Sequence, residues 1–133
     1  MGYKGVKIKC KIDEPMVERL RAMLEAAGPE FKVTVDPNER FHTAEQSIEL
    51  AAQLEPLGNV EVFEDPIPKS DLEGYARIHE TIKVPVAMHL GHPADILQAL
   101  KLDLVDCFNL GGGLVGFGRN AAIDASARAA GHK

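Results

Sequence analysis

Short runs of alternating apolar and polar residues take turns along the chain with longer stretches of helical spacing. Lys4–Lys9 alternates, placing Val6 and Ile8 on one face and Lys7 and Lys9 on the other, and predicts a first strand. Met16, Leu20, Leu24 and Ala27 then recur at helical spacing, with Asp13 as candidate cap, Pro15 in the first turn and Gly28 as the stop. The same alternation repeats four more times. Strands are predicted at Lys32–Val35, Val60–Phe63, Val84–Met88 and Leu104–Phe108. Between them, Thr43 and Gln46 form a capping-box pattern before Ile48, Ala51 and Ala52, and Gly58 ends that helix. Ser70 and Glu73 form a second such pattern before Leu72, Tyr75, Ala76 and Ile82. Pro93 opens a helix with Ile96, Leu97 and Leu100, and an alanine-rich helix is predicted from about Arg119 to Ala130. Strand–helix units recurring roughly every 20–28 residues imply an α/β fold, a parallel sheet of about five βα units covered by helices.

Composition changes this picture little. The chain has 133 residues, is 45% hydrophobic and 26% charged, and suits one folded domain rather than two. The net charge of −5 without a basic block argues against nucleic acid as a partner. No apolar run is long enough to span a membrane. Two cysteines are too few for a disulfide scaffold. The first ten residues, MGYKGVKIKC, lack the apolar core of a signal peptide, and Val6 breaks the myristoylation pattern. A cytoplasmic, reduced protein is expected.

Ligands of a parallel α/β sheet bind at the carboxyl ends of the strands. Here every predicted strand delivers a polar group to that end: Lys7 and Lys9, then Asp36 with Asn38, Glu64 with Asp65, His89, and Asn109. Two ammonium groups on one face depress each other's pKa, which suits a general base near neutral pH. Equally, lysines guard an edge strand against sheet-to-sheet pairing. Asp36 and Glu64 end adjacent strands roughly 5 Å apart, close enough to share one ion, and hard oxygen ligands favour Mg²⁺. Capping of a loop or helix by each carboxylate is the competing account. His89 and His92, at H-x-x-H spacing, read more simply as structural or solvated, and Cys10 and Cys107 as small apolar side chains. Gly111, Gly112, Gly113, Gly116 and Gly118 fit neither nucleotide-binding glycine pattern and read as a tight βα turn.

V-K-I-K at 6–9, V-D-P-N at 35–38, F-E-D-P at 63–66 and P-I-P-K-S-D-L-E-G-Y-A-R-I at 66–78 together resemble the barrel domain of the enolase superfamily, in the mandelate racemase/muconate lactonizing enzyme group. The resemblance runs from about Gly2 to Gly131. It implies a partial TIM (β/α)₈ barrel corresponding to barrel strands 2 to 6. It also implies proton abstraction next to a carboxylate through a stabilised enediolate, in a racemase or epimerase, a dehydratase or a cycloisomerase. By motif position Lys9 is then the base and Lys7 its electrostatic partner. Asp36 and Glu64 are the first two Mg²⁺ ligands, with Asn38 and Asn109 beside a small carboxylate substrate.

The departures are specific. The family's third acidic ligand matches Leu90 in the stretch Ala87-Met88-His89-Leu90, leaving His89 as a substitute that suits Mg²⁺ less well. The acid or base two residues after Asn109 is replaced by Gly111. Nothing matches a capping domain, the first barrel strand or the last two, and a full barrel takes about 250 residues. The expectation is therefore a single partial-barrel domain, inactive alone, that associates into a homo-oligomer through its open edges. Two alternatives stand beside it: a non-catalytic module with a decayed metal site, and an independent flavodoxin-like domain binding a small ligand. Strand order separates the last from a barrel arc.

Overall fold

The computed structural model describes residues 2–110, 117–129 and 131. Five strands, β1 (Gly5–Lys9), β2 (Lys32–Asp36), β3 (Val60–Glu64), β4 (Val86–Leu90) and β5 (Cys107–Leu110), alternate with five helices. The helices are α1 (Met16–Ala27), α2 (Ala44–Leu54), α3 (Leu72–Thr81), α4 (Pro93–Lys101) and α5 (Phe117–Ala129), and a 3₁₀ turn at Glu55–Leu57 follows α2. All strand pairs are parallel, in the order β1-β2-β3-β4-β5. Sequential order is that of a barrel arc and excludes the 2-1-3-4-5 order of the flavodoxin-like alternative.

The core lies between the sheet and its helices. Val33, Val35, Phe63, Val86, Met88 and Leu90 leave the sheet on one face and are buried against the helix layer. Leu20 of α1, Leu54 of α2, Tyr75 and Ile78 of α3, and Ile96 and Ala99 of α4 meet them there. Tyr75 also donates its hydroxyl to the Ile67 carbonyl at 3.1 Å, which satisfies the one polar atom that the ring carries inside. Ile8 packs on this core, but Val6 is 40% exposed: it sits on the sheet edge, where the helix layer does not reach it.

Several boundaries differ from the pattern, each for a local reason. β4 begins at Val86, because Pro85 has no N–H to donate and enters the ladder only as an acceptor from the Phe63 amide at 2.9 Å. β5 begins at Cys107. Leu104 and Val105 are buried, but the Leu104 amide donates back to Ala99 of α4, and pairing with β4 starts at Asp106. Asp13 does not cap α1. It lies too far ahead of Met16, Pro15 holds the N-cap position, and no side chain caps the helix there. For α3 the cap is Asp71 rather than Ser70, and its carboxylate accepts the Gly74 amide at 2.9 Å. Gly74 permits that contact, since a Cβ there would collide with the Asp71 carboxylate and with Ile67 Cδ1. The capping box of Thr43 and Gln46 forms as the pattern predicts. The glycine-rich stretch 111–116, and with it the turn read from those glycines and the position of Gly111, lies outside the described residues.

Candidate functional site

Strand register decides which side chains share the concave face. Lys9 is opposite Asp36 between β1 and β2. Between β2 and β3 the register slips: Val33 is opposite Val60, but Thr34 is opposite Val62 and Val35 opposite Phe63. One residue, Glu61, is thereby taken up without a partner. The slip sends Phe63 to the helix layer with Val35 and turns Glu64 to the same face as Asp36; without it the two would exchange sides. Glu64 is opposite Ala87, and two residues further His89 is opposite Asn109. Lys7, Lys9, Asp36, Glu64, His89 and Asn109 therefore share one face and crowd its carboxyl-terminal rim.

There Lys7, Lys9, Asp36, Glu64 and Asn109 join with Asn38 in one hydrogen-bonded cluster. Lys7 Nζ lies 2.8 Å from Asp36 Oδ2 and 2.6 Å from Glu64 Oε1. Lys9 Nζ lies 2.5 Å from Asp36 Oδ2 and donates to Asn38 Oδ1 at 2.8 Å. Asn109 Nδ2 donates to Glu64 Oε1 at 3.0 Å. Asp36 and Glu64 are buried, whereas both lysine side chains are 40–50% exposed. Charge follows from this packing. Burial pulls the Lys7 ammonium down, but its bonds and attraction to Asp36 and Glu64 outweigh that and hold it above its ordinary value. The mutual depression expected of two lysines is thus overridden at Lys7 by carboxylates that lie closer. Burial likewise raises Asp36, and the two ammonium groups more than reverse it, leaving the carboxyl below its usual range.

The donor set suits a hard divalent cation. One cation, the Lys7 ammonium, already bridges Asp36 and Glu64, so the two carboxylates do converge on a shared point. Asp36 Oδ1 is buried without a hydrogen-bond partner, an orphaned anionic oxygen of the kind a metal ligates. A ligand atom each from Glu64, Asp65 and His89 also lie within 4.8 Å of one another. Leu90, the match to the family's third acidic ligand, points away: it is buried in the helix-side core with Met88. Of the β4 residues on the site face, Ala87 and His89, it is His89 that carries a ligating side chain.

Three features at the rim carry little sequence signal. Asn38, Glu39 and Asp65 have φ of 58°, 62° and 44°, left-handed values that non-glycine residues seldom hold. Asp65 is buried, which pushes its carboxyl up, although it accepts the His89 amide and pairs with Lys69. Lys69 pairs in turn with Glu39. The sequence places Asp65 at the rim and Lys69 in the motif at 66–78, but carries no signal of their pairing with Glu39 across two loops. His92, by contrast, is structural, its Nδ1 accepting the Ala94 amide at the start of α4. No helix among the described residues is long and apolar enough to cross a membrane.

Comparison with known proteins agrees with this geometry. A family model described as enolase C-terminal domain-like matches residues 1–133. The arabinonate dehydratase of Saccharolobus solfataricus is 40% identical over 89 residues, 65% of this chain and 23% of that protein. The L-Ala-D/L-Glu epimerase of Clostridium acetobutylicum is 26% identical over 117 residues, 83% of this chain and 32% of that protein. A solved racemase from Streptomyces coelicolor with bound magnesium superposes with a TM-score of 0.84 at 25% identity, covering 97% of this chain and 37% of that one. The chain thus spans about a third or less of the curated relatives it matches. With the match running the length of the chain and the strand order that of a barrel arc, the chain belongs to the enolase C-terminal domain-like family, in the mandelate racemase/muconate lactonizing enzyme group of the enolase superfamily.

Proposed function

We propose that these 133 residues are one partial-barrel domain of a divalent-metal-dependent enzyme that removes the proton next to a substrate carboxylate, as a racemase or epimerase, a dehydratase or a cycloisomerase. The observation that carries the reading is the Lys7 ammonium bridging Asp36 and Glu64, with Lys9 beside it on Asp36. Asp36 and Glu64, with His89 as third candidate, would hold Mg²⁺. When bound, the ion supplies positive charge to the substrate carboxylate as the neighbouring carbon becomes electron-rich. Lys9 Nζ is assigned the proton transfer. Asn38 holds that nitrogen from one side and Asp36 from the other, which fixes its direction of approach. Lys7 neutralises both carboxylates when no other cation is near and adds positive charge beside the reacting carbon. Asn109 orients Glu64 through its amide. A small carboxylate fits as substrate because the matched relatives are named for arabinonate and for an L-Ala-D/L-Glu dipeptide, both carboxylates.

Calorimetric titration of the chain with Mg²⁺ tests the reading. Saturable binding that Asp36→Asn weakens about 10-fold or more is expected. A second outcome, no saturable binding by the wild type, favours the decayed-site module, a reading supported by Leu90 occupying the position of the third acid.

A further inference from the structure

Glu39 and Lys69 have no part in the chemistry proposed above and Asp65 stands beside its metal ligands, yet the contacts of the three join the loops that hold it. Lys69 Nζ donates to Glu39 Oε1 at 2.6 Å and lies 3.0 Å from Asp65 Oδ2. The Lys69 amide donates to the other Glu39 oxygen at 3.2 Å. The Glu39 amide donates to the Asp65 carbonyl at 2.7 Å, tying the loop after β2 to the loop after β3. Asp65 Oδ1 accepts the His89 amide at 2.8 Å, which extends the link to β4. Glu39 directly follows Asn38, the partner of Lys9, and Asp65 directly follows Glu64.

One ammonium therefore connects the loop that places Asn38, the partner of the proposed base, with the backbone that places two proposed metal ligands. Three of the four left-handed non-glycine conformations among the described residues fall on these same segments, at Asn38, Glu39 and Asp65; the fourth is Asp103, between α4 and β5. Such conformations cost energy and persist only where surrounding contacts over-determine them. The pairing is also more than a surface ion pair, because Asp65 is 2% exposed and a buried carboxylate without its cation is strongly unfavourable.

We propose that Lys69 is a positioning residue, whose paired contacts with Glu39 and Asp65 hold Asn38 with Lys9, and Glu64 with His89, in the geometry that metal binding and proton transfer need. The inference rests on the proposed function for its purpose, but the positioning itself is measurable without a metal.

Lys69→Met, Glu39→Gln and Lys69→Arg test it in two arms. In the metal-free chain, the amide resonances of Asn38 and His89 should shift in Lys69→Met and return toward wild type in Lys69→Arg. In a Mn²⁺ titration, Lys69→Met should lose about 10-fold or more in affinity, with Lys69→Arg restoring most of it. Unmoved Asn38 and His89 amides overturn the proposal. So does an unchanged Mn²⁺ affinity in a variant that has only lost thermal stability, since that marks a merely structural ion pair. If the wild type binds no Mn²⁺, the proposed function fails while the metal-free arm still decides the positioning. If Lys69→Met does not fold, Glu39→Gln, which keeps the lysine, is read in its place.

Discussion

The Cys10 thiol is 1% exposed, just beyond the end of β1. Burial, with a smaller contribution from the Glu14 charge, pushes it up from 9.0 to about 12. The folded state therefore keeps its proton where the unfolded chain has lost it. Stability from this group is complete below pH 9 and is lost as pH rises toward 12, because above 9 the unfolded state binds fewer protons. Between about pH 8 and about pH 10.5 the wild type should lose on the order of 2 kcal/mol more than Cys10→Ala, read from urea midpoints at each pH. Equal losses in the two proteins would show that the thiol is accessible in the fold. Burial of Cys10 was legible from its place beside a strand. The pKa of Lys7 was not, because the spacing of Lys7 and Lys9 displays their mutual repulsion but not the carboxylates that reach Lys7 from two other strands.

Elements were legible to the extent that their signals are local. Thr43 and Gln46 lie three apart in the sequence and need nothing else to close their capping box: Gln46 donates its amide to the Thr43 hydroxyl and accepts the Thr43 amide. Thr43→Ala should cost about 1 kcal/mol of stability by chemical denaturation, and Ser should restore it, since either hydroxyl satisfies the same helix amide. No loss in Thr43→Ala would mean that water replaces the cap at no cost. The cap of α3 lies one residue beyond the one that the pattern predicts, because Ser70 and Glu73 carry the same spacing as a true box. What selects Asp71 is the absent side chain at Gly74, which lets the carboxylate approach the Gly74 amide. β4 and β5 begin later than the hydrophobic pattern predicts for another reason. Val84, Leu104 and Val105 are buried like strand residues, but their burial is not in the sheet ladder.

At the scale of the whole molecule the sheet ends in two unequal edges. The strand order places β1 and β5 at its two ends. β1 is flanked by Lys4, Lys7, Lys9 and Lys11, charges that discourage strand addition, whereas β5 reads Cys-Phe-Asn-Leu and carries none. Because the order is that of a barrel arc, the isolated chain is expected to self-associate, with a mass above 14.4 kDa in light scattering at high concentration. A monodisperse monomer at all concentrations would sink the idea. The sequence by itself determined the alternation of strand and helix, the parallel sheet and the identity of the polar rim, because periodicity and capping are written in near neighbours and the family motifs sit at strand ends. Only the tertiary structure decided which of those polar groups meet. The slip at Glu61 between β2 and β3, a long-range pairing that no local pattern encodes, is what turns Glu64 toward Asp36 and gives Lys7 two carboxylates to bridge.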